Sequence, residues 1–104
     1  MIDLSPEHAS EVRRILLELV PECEVRVFGS RVTGRSQPFS DLDLALVGSI
    51  NIEPARLEAL KDAFSESDLP FMVDVLDWGA ISESFRKVIL GRYEVLQEAG
   101  GNRA

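Results

Sequence analysis

The sequence predicts an α/β domain in which helices pack on one small mixed β-sheet. Segments with helical and strand periodicity follow one another in the order helix, strand, strand, helix, strand, helix, which is typical of such domains. The chain has 104 residues, 45% hydrophobic and 28% charged, a balance that suits one compact core. We therefore expect a single domain at residues 1–99 and a flexible tail at residues 100–104.

The first helix is predicted to begin at Ser5-Pro6, because serine caps a helix N-terminus and proline suits the first helical position. Its apolar residues recur at helical spacing as far as Pro21: Val12, Ile15, Leu16 and Leu19. The β-prone segment at residues 25–28 is predicted to be a strand, which Gly29-Ser30 ends in a tight turn.

Residues 31–40 are rich in turn-forming side chains, so we expect a loop there, with one helical turn at residues 31–34. Residues 41–47 alternate polar and apolar side chains at their start, which predicts a strand with one polar edge. After a loop at residues 48–51, a second helix is predicted from Pro54. Its apolar stripe consists of Leu57, Leu60 and Phe64.

Residues 71–76 are strongly apolar and predict a third strand. Asp77 is placed to cap a final helix. The predicted buried stripe of that helix is Ile81, Phe85, Val88, Ile89 and Leu96. We expect Trp78 to pack beneath the helix, the alternative being a stacking contact with a base or a partner.

The charge balance argues against several classes of function. Eleven basic and 18 acidic residues give a net charge of −7, which disfavours direct nucleic-acid binding. The start of the sequence, residues 1–6, lacks a basic region followed by an apolar run, and no segment approaches the roughly 18 apolar residues that span a bilayer, so we expect a cytoplasmic protein. Cys23 is the only cysteine, which excludes an intrachain disulfide and a cysteine-built zinc site.

Asp41 and Asp43 are the first candidates for chemistry. Two residues apart in a strand, they emerge on one face with backbone positions about 6.7 Å apart. Carboxylates so placed repel each other unless a cation lies between them, and hard oxygen ligands suit Mg²⁺. The alternative is an exposed edge strand that turns its polar face to water.

Asp74 is the third acid, in the middle of the most apolar strand, where a buried charge needs a partner or a metal. With Asp41 and Asp43 shared between two metal ions, Asp74 would bind the ion nearer the acceptor and take a proton from the attacking hydroxyl. Asp77 competes for that role by proximity, but it falls on the opposite face of the strand, so we assign it to capping.

Gly29 and Ser30 are predicted to hold phosphate, since glycine lets the backbone approach phosphate oxygens and the hydroxyl can donate to them. In this acidic chain residues 25–40 contain three arginines and no acid. Arg31 directly follows the turn and is our expected phosphate partner. Arg26 is expected to pair with an acid across the sheet, and Arg35 fits either a solvated loop or a phosphate contact. Ser40 is expected to orient a neighbouring carboxylate.

The motif Gly-Ser-x10-Asp-x-Asp, written GSRVTGRSQPFSDLD, resembles that of the DNA polymerase β-like nucleotidyltransferase superfamily. More narrowly, the segments LSPEH, VRVFGSRVTGRS, SDLDLAL, LPFMVDVLDW and FRKVILGRYEVL resemble the minimal nucleotidyltransferases over nearly the whole chain. The resemblance implies a nucleotidyltransferase fold. It assigns Asp41, Asp43 and Asp74 to metal binding, and Gly29 and Ser30 to the phosphate-holding turn.

This resemblance also implies a partner and a reaction. Minimal nucleotidyltransferases are commonly encoded beside a HEPN-domain toxin as its antitoxin and transfer AMP from ATP onto a tyrosine of that ribonuclease. ATP is then the substrate, with two Mg²⁺ ions, or Mn²⁺, as cofactors, and the chain is expected to form a hetero-oligomer with the toxin. The alternative is an antitoxin without catalysis, or a nucleotide-sensing protein, that neutralises its partner by binding.

Overall fold

The computed structural model describes residues 2–48 and 52–100, so the predicted loop at residues 48–51 and the predicted tail lie largely outside the described residues. Its elements in chain order are helix α1 (Pro6–Leu19), strand β1 (Glu24–Phe28), helix α2 (Ser30–Thr33), strand β2 (Leu42–Val47), helix α3 (Pro54–Ser65), strand β3 (Val73–Asp77), a 3₁₀ helix (Trp78–Ala80), helix α4 (Glu83–Gly91) and strand β4 (Glu94–Gln97). No helix in this part of the chain is long and apolar enough to cross a membrane.

The four strands form one mixed sheet in the order β3-β2-β1-β4. Strand β1 is antiparallel to both β2 and β4, whereas β2 and β3 are parallel and are connected through α3. Phe28 at the end of β1 therefore pairs with Asp43 near the start of β2, and Asp43 pairs in turn with Asp74. The topology thus brings the Gly-Ser turn and the two strand acids to one end of the sheet.

The hydrophobic core lies between α1, α3 and one face of the sheet. Alternate residues of the paired strands face it, because successive side chains of a strand point to opposite faces. The core-facing strand residues are Val25, Val27, Leu42, Leu44, Leu46 and Val75, and the helices contribute Val12, Leu16, Leu60 and Phe64. As predicted, Ser5 caps α1 by accepting a hydrogen bond from the His8 amide at 3.2 Å.

The second face of the sheet carries Arg26, Phe28, Asp43 and Asp74 by the same alternation. The Phe28 ring packs edge-to-face on Phe85 of α4, with 5.8 Å between ring centroids. This face is therefore only partly covered, and its acids stay accessible at one end.

The prediction of one final helix through Leu96 is wrong. Helix α4 ends at Gly91, Arg92 is extended, and residues 94–97 pair with β1. Strand β1 offers unpaired backbone groups at its outer edge, and pairing there also buries the side chains of Leu96 and Gln97. Of the predicted helical stripe, Ile89 is buried, but Val88 is 68% exposed.

Asp77 does not cap the final α-helix as predicted. Its carboxylate accepts hydrogen bonds from the amides of Gly79 and Ile52, and so caps the 3₁₀ helix that follows β3. The helix α4 is capped by Ser82, whose hydroxyl accepts from the Phe85 amide at 3.1 Å. The three residues of the 3₁₀ helix, followed by Ile81 and Ser82, separate the strand from α4, and no periodicity in the sequence indicated this.

Arg26 also pairs differently from the prediction. Its ion pair is with Glu24, two residues earlier on the same strand, at 2.6 Å rather than across the sheet. The guanidinium lies 4.8 Å from the ring centroids of both Trp78 and Tyr93. Arg26 thus holds two aromatic residues against the second face of the sheet through cation–π contacts.

Candidate active site

Gly29 is the residue on which the site is built. Its φ of +82° and ψ of −155° lie in a region that only glycine adopts readily. A Cβ atom at this position would stand 2.4 Å from Oδ2 of Asp43, far inside contact distance. The chain can therefore turn from β1 into α2 directly against the Asp43 carboxylate only with glycine here.

The strand register determines the positions of the three acids relative to one another. Asp43 and Asp74 are direct neighbours on β2 and β3, and Asp41 precedes Asp43 by two residues. Asp43 is half-buried, whereas Asp41 and Asp74 are exposed. Burial, followed by the negative charges of Asp74 and then Asp41, raises the pKa of Asp43 from 3.8 to about 6. The three carboxylates thus form one electrostatic group centred on Asp43.

The donor chemistry of this group suits a divalent cation such as Mg²⁺. A cation would stabilise the charged form of Asp43, whose pKa is raised first by burial and then by the neighbouring acids, and carboxylate oxygens are the ligands that Mg²⁺ prefers. Across residues 2–48 and 52–100, however, no three acidic, histidine or cysteine side chains converge into a ready-made metal cage. The strand register therefore places the three acids near one another, but the exposed side chains of Asp41 and Asp74 would have to rotate before they could share one ion with Asp43.

Arg31 is not placed as a phosphate partner. Its side chain is only 5% exposed, and its guanidinium donates to the carbonyl oxygens of Asp3, Pro38 and Ser40 at 2.8–3.2 Å. The same group lies 4.3 Å from the Phe71 ring centroid. Because its donors already have acceptors inside the protein, Arg31 fixes the loop before β2 and does not face a nucleotide.

Arg35 is better placed than Arg31 to meet phosphate. Its backbone amide donates to the Ser30 carbonyl at 3.2 Å, which holds it one turn from the Gly-Ser motif. The Arg35 side chain is exposed and makes no ion pair with any residue that the structure describes. The sequence left Arg35 open between a solvated loop residue and a phosphate contact, and its exposure is compatible with both interpretations.

Ser40 takes part in a tight turn. Its hydroxyl accepts a hydrogen bond from the Gln37 amide at 2.7 Å, and its own amide donates to the Gln37 carbonyl at 3.0 Å. Within the described part of the chain no hydrogen bond joins this hydroxyl to a carboxylate. Ser40 shapes the loop that leads into Asp41, and the predicted carboxylate contact is not formed.

A cavity of about 730 Å³ adjoins the acids on the β3 side. Asp41 and Asp74 border it, together with the apolar side chains of Phe39 and Met72, which are each 74% exposed. Sequence reasoning missed this cavity, because Phe39 and Met72 are 33 residues apart and only the fold brings them together. In the sequence, only the presence of a phenylalanine in a polar loop hinted at a binding surface there.

Comparison with known proteins identifies the family. The family model for polymerase β nucleotidyltransferases matches residues 23–99. A Haemophilus influenzae protein named probable protein adenylyltransferase MntA is 46% identical over 97 residues, which are 93% of this chain and 85% of that protein. The chain belongs to the polymerase β nucleotidyltransferase family. It is a nucleotidyltransferase, which confirms the enzyme class and the fold predicted from the sequence.

Solved structures of this family share the fold. A toxin–antitoxin complex with AMP-PNP matches with a TM-score of 0.73 at 20% identity, over 91% of this chain and 74% of that one. A tri-AMPylated Shewanella oneidensis HEPN toxin in complex with an MNT antitoxin matches with a TM-score of 0.64 at 19% identity, over 85% and 67%. At these identities the matches establish the nucleotidyltransferase fold and nothing finer.

Proposed function

We propose that this nucleotidyltransferase transfers AMP from ATP to a tyrosine of a HEPN-domain toxin and thereby acts as its antitoxin in the cytoplasm. The observation that carries the proposal is the contact of Gly29 with Asp43, which is in register with Asp74. It is supported by the relative named as a protein adenylyltransferase and by the fold shared with an antitoxin bound to a tri-AMPylated HEPN toxin.

In this proposal each residue of the site has one role. The backbone of Gly29 and the hydroxyl of Ser30 hold the β- and γ-phosphates, with the exposed guanidinium of Arg35 beside them. Asp41, Asp43 and Asp74 hold Mg²⁺, which would neutralise the charge that develops on the phosphate oxygens. Asp74 also accepts the proton of the attacking tyrosine hydroxyl.

The transfer breaks one bond and forms one. The tyrosine oxygen bonds to the α-phosphorus, the bond from that phosphorus to the bridging oxygen of the β-phosphate breaks, and pyrophosphate leaves. The tyrosine proton passes to the Asp74 carboxylate and from there to water. The partner toxin gains one adenylyl group, and no oxidant or reductant is needed.

The decisive experiment is transfer of label from α-labelled ATP, with Mg²⁺, to the HEPN-domain toxin that the proposal makes the partner of this chain. We expect wild type to label the partner and Asp41→Asn/Asp43→Asn to lose transfer by at least about a hundredfold. Asp74→Asn should lose transfer, whereas Asp77→Asn, on the same strand but facing the core side, is the matched control and should keep it. If wild type transfers no label and both proteins still neutralise the partner, the chain acts by binding alone.

A further inference from the structure

The cavity beside Asp41 and Asp74 has no role in the transfer proposed above. Its remaining lining is mostly apolar and includes one cation, Lys61; Phe39 and Met72 are among the apolar residues, as are Val73 and Val75 of β3. Large apolar side chains that stay 74% exposed, as Phe39 and Met72 do, mark surfaces that bind something. Lys61 is exposed and has no ion pair among the described residues.

The two exposed apolar residues are held in place by the protein. Phe39 lies in the turn at residues 37–40, whose carbonyl oxygens on either side of it, those of Pro38 and Ser40, accept hydrogen bonds from the buried Arg31. The carbonyl of Met72 accepts from the Leu42 amide at 2.9 Å, which joins the start of β3 to the start of β2. These hydrogen bonds hold the backbone around Phe39 and Met72 in a defined position relative to the acids.

The sheet order decides which side of the reaction this cavity serves. Gly29-Ser30 lies on the β1 side of Asp43, and the cavity lies on the β3 side with Asp74. In an in-line displacement the attacking oxygen and the leaving pyrophosphate stand on opposite sides of the α-phosphorus. The ribose and base are attached through a third position, outside that line. With pyrophosphate at Gly29-Ser30, the acceptor must approach from the side of the cavity.

We propose that this cavity binds the tyrosine-bearing segment of the partner protein, with Phe39 and Met72 contacting the tyrosine ring. A tyrosine pairs an apolar ring with a reactive hydroxyl, which matches a cavity that is apolar at its mouth and acidic where Asp74 lies. Lys61 then complements an acidic side chain that flanks the tyrosine. The inference rests on the proposed function and adds to it the residues that select the acceptor.

Kinetics with the partner protein as varied substrate test the proposal. Phe39→Ala and Met72→Ala should each raise KM for the partner by about fivefold or more, as loss of an apolar anchor does, with kcat and KM for ATP within twofold. Lys61→Glu should raise KM for the partner by a similar factor. The matched control is Val88→Ala, which removes an apolar side chain of comparable exposure on α4, outside the cavity, and should leave both KM values unchanged.

If wild type is active and the cavity variants behave like Val88→Ala, the cavity does not bind the acceptor, although the proposed function stands. If KM for ATP rises instead, the cavity holds the base. A second experiment does not depend on catalysis: Phe39→p-benzoylphenylalanine is irradiated in the complex with the partner and with Mg²⁺ and AMP-PNP. Cross-links to the segment that carries the tyrosine support the proposal, while cross-links only to the nucleotide or elsewhere on the partner, or none, overturn it.

Discussion

Gly29 brings the Gly-Ser turn directly against the Asp43 carboxylate, because it has no side chain. Alanine at this position would have to adopt a backbone conformation nearly reserved for glycine and would collide with Oδ2 of Asp43. We expect Gly29→Ala to cost about 3 kcal/mol of unfolding free energy and about a hundredfold in transfer, since it displaces the Asp43 carboxylate, to which the proposed function gives a catalytic role. Denaturant unfolding and the transfer assay measure both quantities.

Gly34 provides the control for that substitution. It has nearly the same φ, +83°, but a Cβ atom there meets nothing within 4 Å. Gly34→Ala should therefore cost only the left-handed strain of about 1–2 kcal/mol and should keep its transfer activity. Equal losses of activity in the two variants would mean that backbone strain, and not the collision with Asp43, is what matters.

Asp43 should make the stability of the metal-free protein depend on pH. Because its pKa is about 6 in the folded state and 3.8 ordinarily, the folded state binds the proton more tightly. The resulting stabilisation is complete below pH 3.8 and is lost as the pH rises through about 6. Asp43→Asn should therefore be more stable than wild type at about pH 7.5, with the difference vanishing toward about pH 4, in thermal unfolding scans without divalent cations.

Arg31 was singled out by the sequence analysis as a phosphate partner, but the structure gives it a structural role. Its position after the Gly-Ser turn suggested a phosphate contact, yet burial and hydrogen bonds to backbone carbonyls make it a structural residue. Lysine lacks the planar fork that reaches several carbonyls at once, so Arg31→Lys as well as Arg31→Ala should lose about 2–4 kcal/mol of stability. A lysine variant of wild-type stability with weakened ATP binding would restore the phosphate interpretation.

The strand β4 is the element that sequence periodicity could not reveal. Leu96 stands seven residues after Ile89, which is also a helical repeat, so the apolar pattern continued without a break. Gly91 was the available signal for a helix end, but four residues of strand carry too little alternation to be recognised. The partner strand β1 determines the structure of this segment through pairing, and pairing between distant residues is not visible in local sequence.

Gln97 links β4 by hydrogen bonds to the connection between α1 and β1. Its buried side-chain amide donates to the carbonyl oxygens of Val20 and Cys23 at 2.9 and 3.0 Å. In Gln97→Glu a carboxylate would face two acceptors without a donor, so we expect a loss of about 3 kcal/mol or more at neutral pH. Glu98→Gln, on the adjacent exposed residue, is the matched control and should change the unfolding free energy by less than about 0.5 kcal/mol.

For the molecule as a whole, the sequence predicted the strand end, the turn and the strand acids because each is a local pattern. Once three short strands lie in one sheet, Gly29 comes to lie beside Asp43, and Asp43 beside Asp74. The cavity formed by Phe39 and Met72 could not be predicted, because it depends on how a loop folds back on a distant strand. The roles of Arg31 and Arg35 likewise depended on which of the two side chains is buried.

Nucleotide binding should stabilise the whole domain, because only the folded chain assembles the acids with the turn. At a hundredfold excess of AMP-PNP and Mg²⁺ over the dissociation constant, linkage predicts about 2.7 kcal/mol of added stability. The Asp41→Asn/Asp43→Asn variant should show a much smaller increase in melting temperature under the same conditions. An equal increase in both proteins would place the nucleotide away from these acids.

The hydrogen bonds of Arg31 connect the segment around Asp3 to the turn at residues 37–40. Its guanidinium donates to the Asp3 carbonyl and to Ser40 at once, and the Asp3 amide donates back to the Arg31 carbonyl at 2.7 Å. A force applied ahead of residue 3 is therefore transmitted to the residue before Asp41. Affinity tags or fusion partners placed ahead of residue 3 should carry a flexible spacer, since a rigid junction would pull on the loop that positions Asp41.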